Sequence, residues 1–370
     1  MNRKISDYLH SRDNNFDFIR FMAALLVIFH HSFFLTPSIH EPLLTFTHDR
    51  YTIGGICVAV FFIISGFLIT RSFDKNRDIS TYFTARMLRI YPALMVVVFC
   101  TVFIIGPLLT TNTLYDYFTN FTTFKYYYSN TFMVSVQYWL PGIFEHNYAP
   151  KMVNGSLWTL SYELLCYCLV AAVGSIFSKK KITGIILLVL TLLVFRNKIM
   201  YGKEEIFETI FFFACGTLIY IYRQKITLNS FAALVAFVLL LVNMHYNPNY
   251  TSSMIITGIM LSYVTIFLCF VKTKHLKHFA KHGDYSYGMY IWSYLVQQML
   301  YLYFNHLNTY VFFIVSAGIT LVFAMLSWHL IEKRALKLKD NLKYKQAIAR
   351  RVAQIKEKSL AVVPSLMLRK

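Results

Sequence analysis

The chain reads as an all-α, polytopic integral membrane protein with about ten transmembrane helices and both termini cytoplasmic. Three observations predict this class. Of its 370 residues, 57% are hydrophobic and only 14% charged, with a mean hydropathy of +0.50, whereas an average soluble domain carries about 25% charged residues. Ten stretches approach the roughly 20 largely apolar residues that a spanning helix needs: 17–36, 52–71, 90–110, 157–177, 182–199, 206–222, 228–246, 253–271, 285–304 and 310–330. With a cytoplasmic N-terminus, 30 of the 36 Lys and Arg residues fall on the inside, and only Arg50, Lys125, Lys151, Arg196, Lys198 and Lys203 fall outside. Basic residues collect in cytoplasmic loops, so this split supports the even count and excludes a soluble domain.

Taken in order, Met1 to Asn15 is polar and charged, so no cleavable signal peptide is expected and the first span serves as the insertion signal. The six cysteines all lie within apolar runs, with neither zinc spacing nor a disulfide framework. Thr111 to Ser156 is the longest stretch between spans, rich in Tyr, Phe and Asn, and reads either as a partly helical lid or as a solvated loop. Residues 1–335 form the ten-helix domain and 336–370 a basic tail. From Lys333 onward the chain carries 12 Lys and Arg against Asp340 and Glu357, as an amphipathic helix on an anionic inner leaflet would. Charge alone would favour nucleic acid as its partner, and none is expected. His275, His278 and His282 lie in a basic loop with no Cys or acid beside them, so no metal is expected either.

Ionisable residues within spans are costly, and each is a functional candidate. In the first span Arg20 and His31 are eleven residues apart. At about 100° and 1.5 Å per residue they share one face and are about 16 Å apart along the axis, while His30 points some 80° away and should tolerate substitution. Glu163 lies early in the fourth span, about 10 Å below the outer surface, and His31 comes out at a similar depth. A carboxylate and an imidazole at one level suit a general base and its orienting partner. At the inner side, Arg86 and Arg89 share a face at i, i+3. With Arg20 they could grip phosphate oxygens, a task for which planar guanidinium groups are suited. Ser65-Gly66 in the second span brings little bulk and allows close approach. Asp284 reads as an N-cap, and Glu332 as a partner for Arg86 or Arg89.

Five ordered blocks give a resemblance to a known family. They are Arg20 through His31-Ser32, Val60 to Ile69, Arg86-Met87-Leu88-Arg89-Ile90-Tyr91-Pro92, Asn154 to Glu163 with Tyr167, and Tyr285 to Tyr290. In this order on ten spans the chain resembles the membrane-bound acyltransferase type 3 family over residues 14 to 335. The resemblance implies a ten-helix core that takes an acyl group from a cytoplasmic donor, usually acetyl-CoA, and delivers it to a glycan. It also implies that His31 is the essential histidine, Arg20 its partner, and Arg86 and Arg89 the third-helix pair. Two departures stand out: Ser293 replaces a common His, and Glu332-Lys333-Arg334 replaces Glu-x-Pro.

Residues and resemblance converge on O-acyl transfer in the cell (inner) membrane. His31 would be the general base and Glu163 its orienting carboxylate, while Arg20, Arg86, Arg89 and Ser65 would hold the donor. The donor is acetyl-CoA or another acyl-CoA, and no permanently bound cofactor is expected. Partners would be a glycan or lipid-linked sugar acceptor and membrane lipids, and a homodimer is compatible with the sequence. The competing class is a transporter of a lipid-linked glycan or small metabolite, which matching discontinuous half-helices would favour.

Overall fold

The computed structural model describes residues 2–10, 14–37, 40–75, 77–176, 204–271, 279, 281 and 283–338. Among them are nine long helices: α1 (Phe16–Leu35), α2 (Ile53–Lys75), α3 (Ile79–Cys100), α4 (Trp158–Ile176), α5 (Glu204–Ile221), α6 (Ser230–Tyr246), α7 (Tyr250–Phe270), α8 (Ser286–Tyr303) and α9 (Thr309–Ser327). Each overlaps one of the ten apolar stretches, although α3 begins eleven residues before the 90–110 stretch; the remaining stretch, 182–199, lies outside the described residues, as do His275, His278, His282 and residues 339–370.

Among the described residues, six helical spans are long and apolar enough to cross a membrane: Phe16–Leu35, Ile53–Lys75, Ile79–Leu109, Gly155–Ser175, Tyr250–Phe270 and Thr309–Leu338. The apolar helix α6 is shorter, at 17 residues. Leu234 on α6 is 60% exposed and Ile314 on α9 66%, an outward apolar surface that suits lipid contact. One departure from an all-α chain is small: Asn2–Lys4 pairs antiparallel with Thr227–Asn229 and ties the N-terminal segment to the α5–α6 connection.

Helix α2 occupies the centre, against α1, α4, α5 and α7. Its crossing with α5 depends on two glycines: a Cβ on Gly66 would come within 2.0 Å of the Phe213 carbonyl oxygen, and one on Gly216 within 2.0 Å of that of Ile63. Small residues let helices in lipid approach backbone to backbone, where packing and polar contacts replace the hydrophobic drive. Thr70 Oγ1 donates to Thr217 Oγ1 (3.1 Å) on the same seam. Helix α8 packs between α1 and α9. Asn15, ahead of α1, donates to the carbonyls of Leu268 (3.1 Å) and Val271 (2.7 Å), satisfying groups at the end of α7.

The stretch from Thr111 to Ser156 is a packed cap. Two short helices, Leu114–Thr119 and Phe121–Thr131, start at side-chain caps from Thr113 and Asn120. Tyr117, Tyr126, Leu140 and Ile143 are fully buried. Gln298 on α8 binds the cap by donating to the carbonyls of Ala149 (2.8 Å) and Met152 (2.7 Å) while its Oε1 accepts from Asn147 (2.7 Å). Buried backbone groups need such partners, which makes the segment part of the fold.

Candidate active site

A cavity of about 330 Å³ opens among α1, α2, α3, α4 and α8. Arg20, Ser65, Arg86, Arg89 and Glu163 line it together with Tyr167, Tyr287 and Tyr290. Five of the six residues singled out from the sequence thus converge on one space, and His31 is not among those lining it. Leu336, in the segment that continues α9, lies at its wall.

The arginines have unequal partners. Arg20 pairs with Asp17 one turn earlier, and its Nη2 donates to Asp284 Oδ2 (3.1 Å). Arg89 Nη2 donates to that same oxygen (2.5 Å), and its Nη1 lies 3.7 Å from Glu332 Oε2. Glu332, 1% exposed, sits on a wider π-type turn that continues α9 over Trp328–Glu332. Asp284 is therefore more than the N-cap that its position suggested: its other oxygen accepts from the Ser286 backbone N–H (3.2 Å) and hydroxyl (2.6 Å). Burial alone would raise its pKa, but Arg89 and Arg20 outweigh it and, with the Ser286 bonds, hold the carboxyl well below the usual carboxylate range. Arg86 has no carboxylate partner among the described residues. Its Nη2 donates to Ser72 Oγ (2.8 Å), and its guanidinium carbon lies 5.8 Å and 6.0 Å from the ring centroids of Tyr82 and Tyr167.

Glu163 accepts from Ser65 Oγ (3.1 Å) and from the Tyr167 hydroxyl, so Ser65 acts on the carboxylate inside the cavity. The structure corrects its pairing with His31. The ring of His30, next to His31 in sequence, lies against Gly54 in the first turn of α2, whereas Glu163 meets Ser65 eleven residues further along that helix, about 16 Å away at 1.5 Å per residue. The depth estimate assumed that α4 starts at the membrane surface. Instead, Asn154 is fully buried and donates to the Ile291 carbonyl (2.9 Å), and Gly155 abuts the Tyr294 ring, so the chain is already inside the bundle when α4 begins.

His31 lies beyond this cavity, at the level of that buried start. Its ring makes an edge contact with Tyr294 (centroids 5.0 Å), and its Nδ1 is buried without a hydrogen-bond partner. The neighbouring Ser32 accepts from Gln297 Nε2 (2.9 Å). Ser293, at the position where the family commonly has His, is fully buried and donates to the Tyr290 carbonyl (3.0 Å).

The sequence reading passed over a buried acid near His31. Glu41, in the connection between α1 and α2, is 4% exposed and pairs with His30 Nδ1 at 2.9 Å. Its only sequence signal is an acid in a short connection, which composition does not separate from a solvated charge. Among the described residues no group of three or more His, Cys, Asp or Glu converges as metal ligands.

Comparison with known proteins adds a second line of evidence. The family model described as "Acyltransferase domain" (Acyl_transf_3) matches residues 13–329. The chain aligns with the O-acetyl transferase of Shigella phage Sf6 at 29% identity over 340 residues, covering 88% of this chain and 96% of that protein. It aligns with nodulation protein 10 of Rhizobium leguminosarum bv. viciae at 27% identity over 373 residues, covering 92% of this chain and 96% of that one. No solved structure matches it.

Proposed function

We propose, from the premise that the chain belongs to the type 3 acyltransferase family and is a multi-pass membrane acyltransferase, that it transfers an acetyl group from acetyl-CoA to a hydroxyl of a cell-surface glycan or lipid-linked sugar. The observation that carries the donor half is the convergence of Arg20, Arg86, Arg89, Ser65 and Glu163 on one cavity beside α1. Arg86, paired with no carboxylate among the described residues, keeps its fork for the CoA phosphates, while Arg20 and Arg89 line the mouth under the hold of Asp284. A space of about 330 Å³ suits the acyl-bearing arm of the donor, with the nucleotide left outside on the cytoplasmic side.

The acyl thioester extends from this cavity along α1 towards His31. A sugar hydroxyl is a poor nucleophile at neutral pH, and the His31 imidazole takes its proton as the oxygen attacks the carbonyl carbon. Glu163, with Tyr167 and Ser65, orients groups within the cavity. The phage relative, named an O-acetyl transferase, supports acetyl as the group moved. The location is the inner membrane, with the acceptor reached from the far side.

Mass spectrometry of surface glycans from cells with and without the gene tests this reading. A mass difference of one acetyl per modified sugar is expected, lost on deletion and restored by the wild-type chain. Identical glycan masses in both strains would refute it.

A further inference from the structure

The α1–α2 connection supplies a carboxylate to the histidine next to His31. Glu41 Oε1 takes two hydrogen bonds, one with His30 Nδ1 (2.9 Å) and one from the Ile53 backbone N–H (2.9 Å). Its Oε2 is buried with no partner. The His30 ring is wedged over Gly54, where an added Cβ would come within 2.3 Å of the ring. A carboxylate accepts and does not donate, so the shared hydrogen sits on Nδ1 and the ring's lone pair on Nε2. Nε2 has no hydrogen-bond partner among the described residues, and the side chain is 22% exposed, so this nitrogen is free to receive a proton.

His31 is placed differently. Its ring centroid is 5.5 Å from that of His30, its Nδ1 is buried and unpartnered, and no carboxylate pairs with it among the described residues. A proton held on His31 would create a charge with no counter-ion in a largely desolvated place, which is costly. The same proton on His30 would be balanced by Glu41.

We propose that Glu41 is a positioning residue for the transfer reaction, holding His30 so that the proton leaving the acceptor hydroxyl comes to rest on His30 Nε2. This rests on the acyl-transfer reading and adds a second imidazole to it, against the expectation from helical faces that His30 is dispensable. In the step, the hydroxyl oxygen bonds to the thioester carbonyl carbon, the C–S bond breaks, and its electron pair leaves on the CoA sulfur as thiolate. The hydroxyl proton passes by way of His31 to His30. His30 then releases it to water, and the thiolate takes up a proton from water at the donor side.

The test uses the full chain purified in detergent, with radiolabelled acetyl-CoA and glycan extracted from the producing cells as acceptor. Glu41→Gln is expected to lower kcat by about 10- to 100-fold while KM for acetyl-CoA changes less than about 2-fold, and Glu41→Asp to recover part of the loss. His30→Ala is expected to lose activity that added imidazole restores in proportion to its concentration. Wild-type kcat in Glu41→Gln and His30→Ala overturns this inference while leaving the acyl-transfer reading intact. If Glu41→Gln does not fold, the imidazole titration of His30→Ala decides, and absence of rescue overturns the inference. A wild-type protein that moves no label to the glycan refutes the acyl-transfer reading itself, and this inference with it.

Discussion

The two ends of α1 each bring a carboxylate to a basic side chain, and they use it in opposite ways. At the Arg20 end, one buried carboxylate, Asp284, serves two guanidinium groups at 3.1 Å and 2.5 Å, so charge there is compensated and the side chains are held in place. At the His31 end, one buried carboxylate, Glu41, serves one imidazole and retains an unpartnered oxygen. Guanidinium groups are always charged, so their pairing with Asp284 is permanent and structural. The comparison teaches that an acid paired with a basic side chain closes a charge network at one end of α1 and leaves polar atoms unpartnered at the other, while Arg86, outside both arrangements, has no carboxylate partner among the described residues.

The largest effect expected is at the His31 end. His31→Ala should abolish acetyl transfer to surface glycans, measured by mass spectrometry, with the protein at normal abundance in membranes. Activity retained in that variant would move the reactive centre away from the far end of α1 and remove the contrast. At the Arg20 end the expected loss is in stability. Asp284→Asn leaves Arg20 with Asp17 alone and Arg89 with Glu332 alone and should destabilise the detergent-solubilised protein by about 3 kcal/mol, read as a lowered Tm, because the remaining carboxylates only partly compensate two buried charges. The pH dependence has a definite sign. Since the folded-state pKa of Asp284 is depressed, its contribution is complete above the ordinary carboxylate pKa of about 4 and is lost as pH falls below that. The Tm gap between wild type and Asp284→Asn should thus be constant at neutral pH and narrow only in acid; a gap already narrowing near pH 6 would contradict the assignment. The smallest effect separates the arginines. Arg86→Lys should weaken CoA binding by about 1–2 kcal/mol in calorimetry, since Lys lacks the planar fork. Arg89→Lys should weaken it less and show its main effect in Tm. Equal donor losses in both would make Arg89 a ligand contact as much as a scaffold member.

Legibility differed sharply between elements. The apolar periodicity located nine helices, because a chain inside a bilayer must satisfy its backbone internally and so becomes helical wherever it is apolar for long enough. The length criterion was less sharp, since α6 is a 17-residue helix within the bundle and, among the described residues, six helical spans reach the full membrane-crossing measure. Within the site, Arg86 and Arg89 at i, i+3 and Arg20 on α1 could be placed together because each lies at the inner end of its apolar stretch in the sequence. The pairing of Glu163 with His31 failed because it rested on counting from a surface that α4 does not start at. Glu41 was unreadable for a related reason: a connection has no periodicity from which to infer where its side chains point.

By itself, the sequence determined the helical class, the placement of the long helices, the faces on which Arg20, Arg86, Arg89 and His31 lie, and membership of an acyltransferase family. Those follow from local period and from motif order, which survive without knowledge of how helices dock. Only the tertiary structure decided which carboxylate meets which partner: Asp284 with Arg20 and Arg89, Glu163 with Ser65 and Tyr167, and Glu41 with His30. A hydrogen bond near 3 Å depends on the relative depth of two helices to within about an ångström. That depth is set by contacts such as Asn154 to Ile291 and Gly66 to Phe213, between residues far apart in the chain.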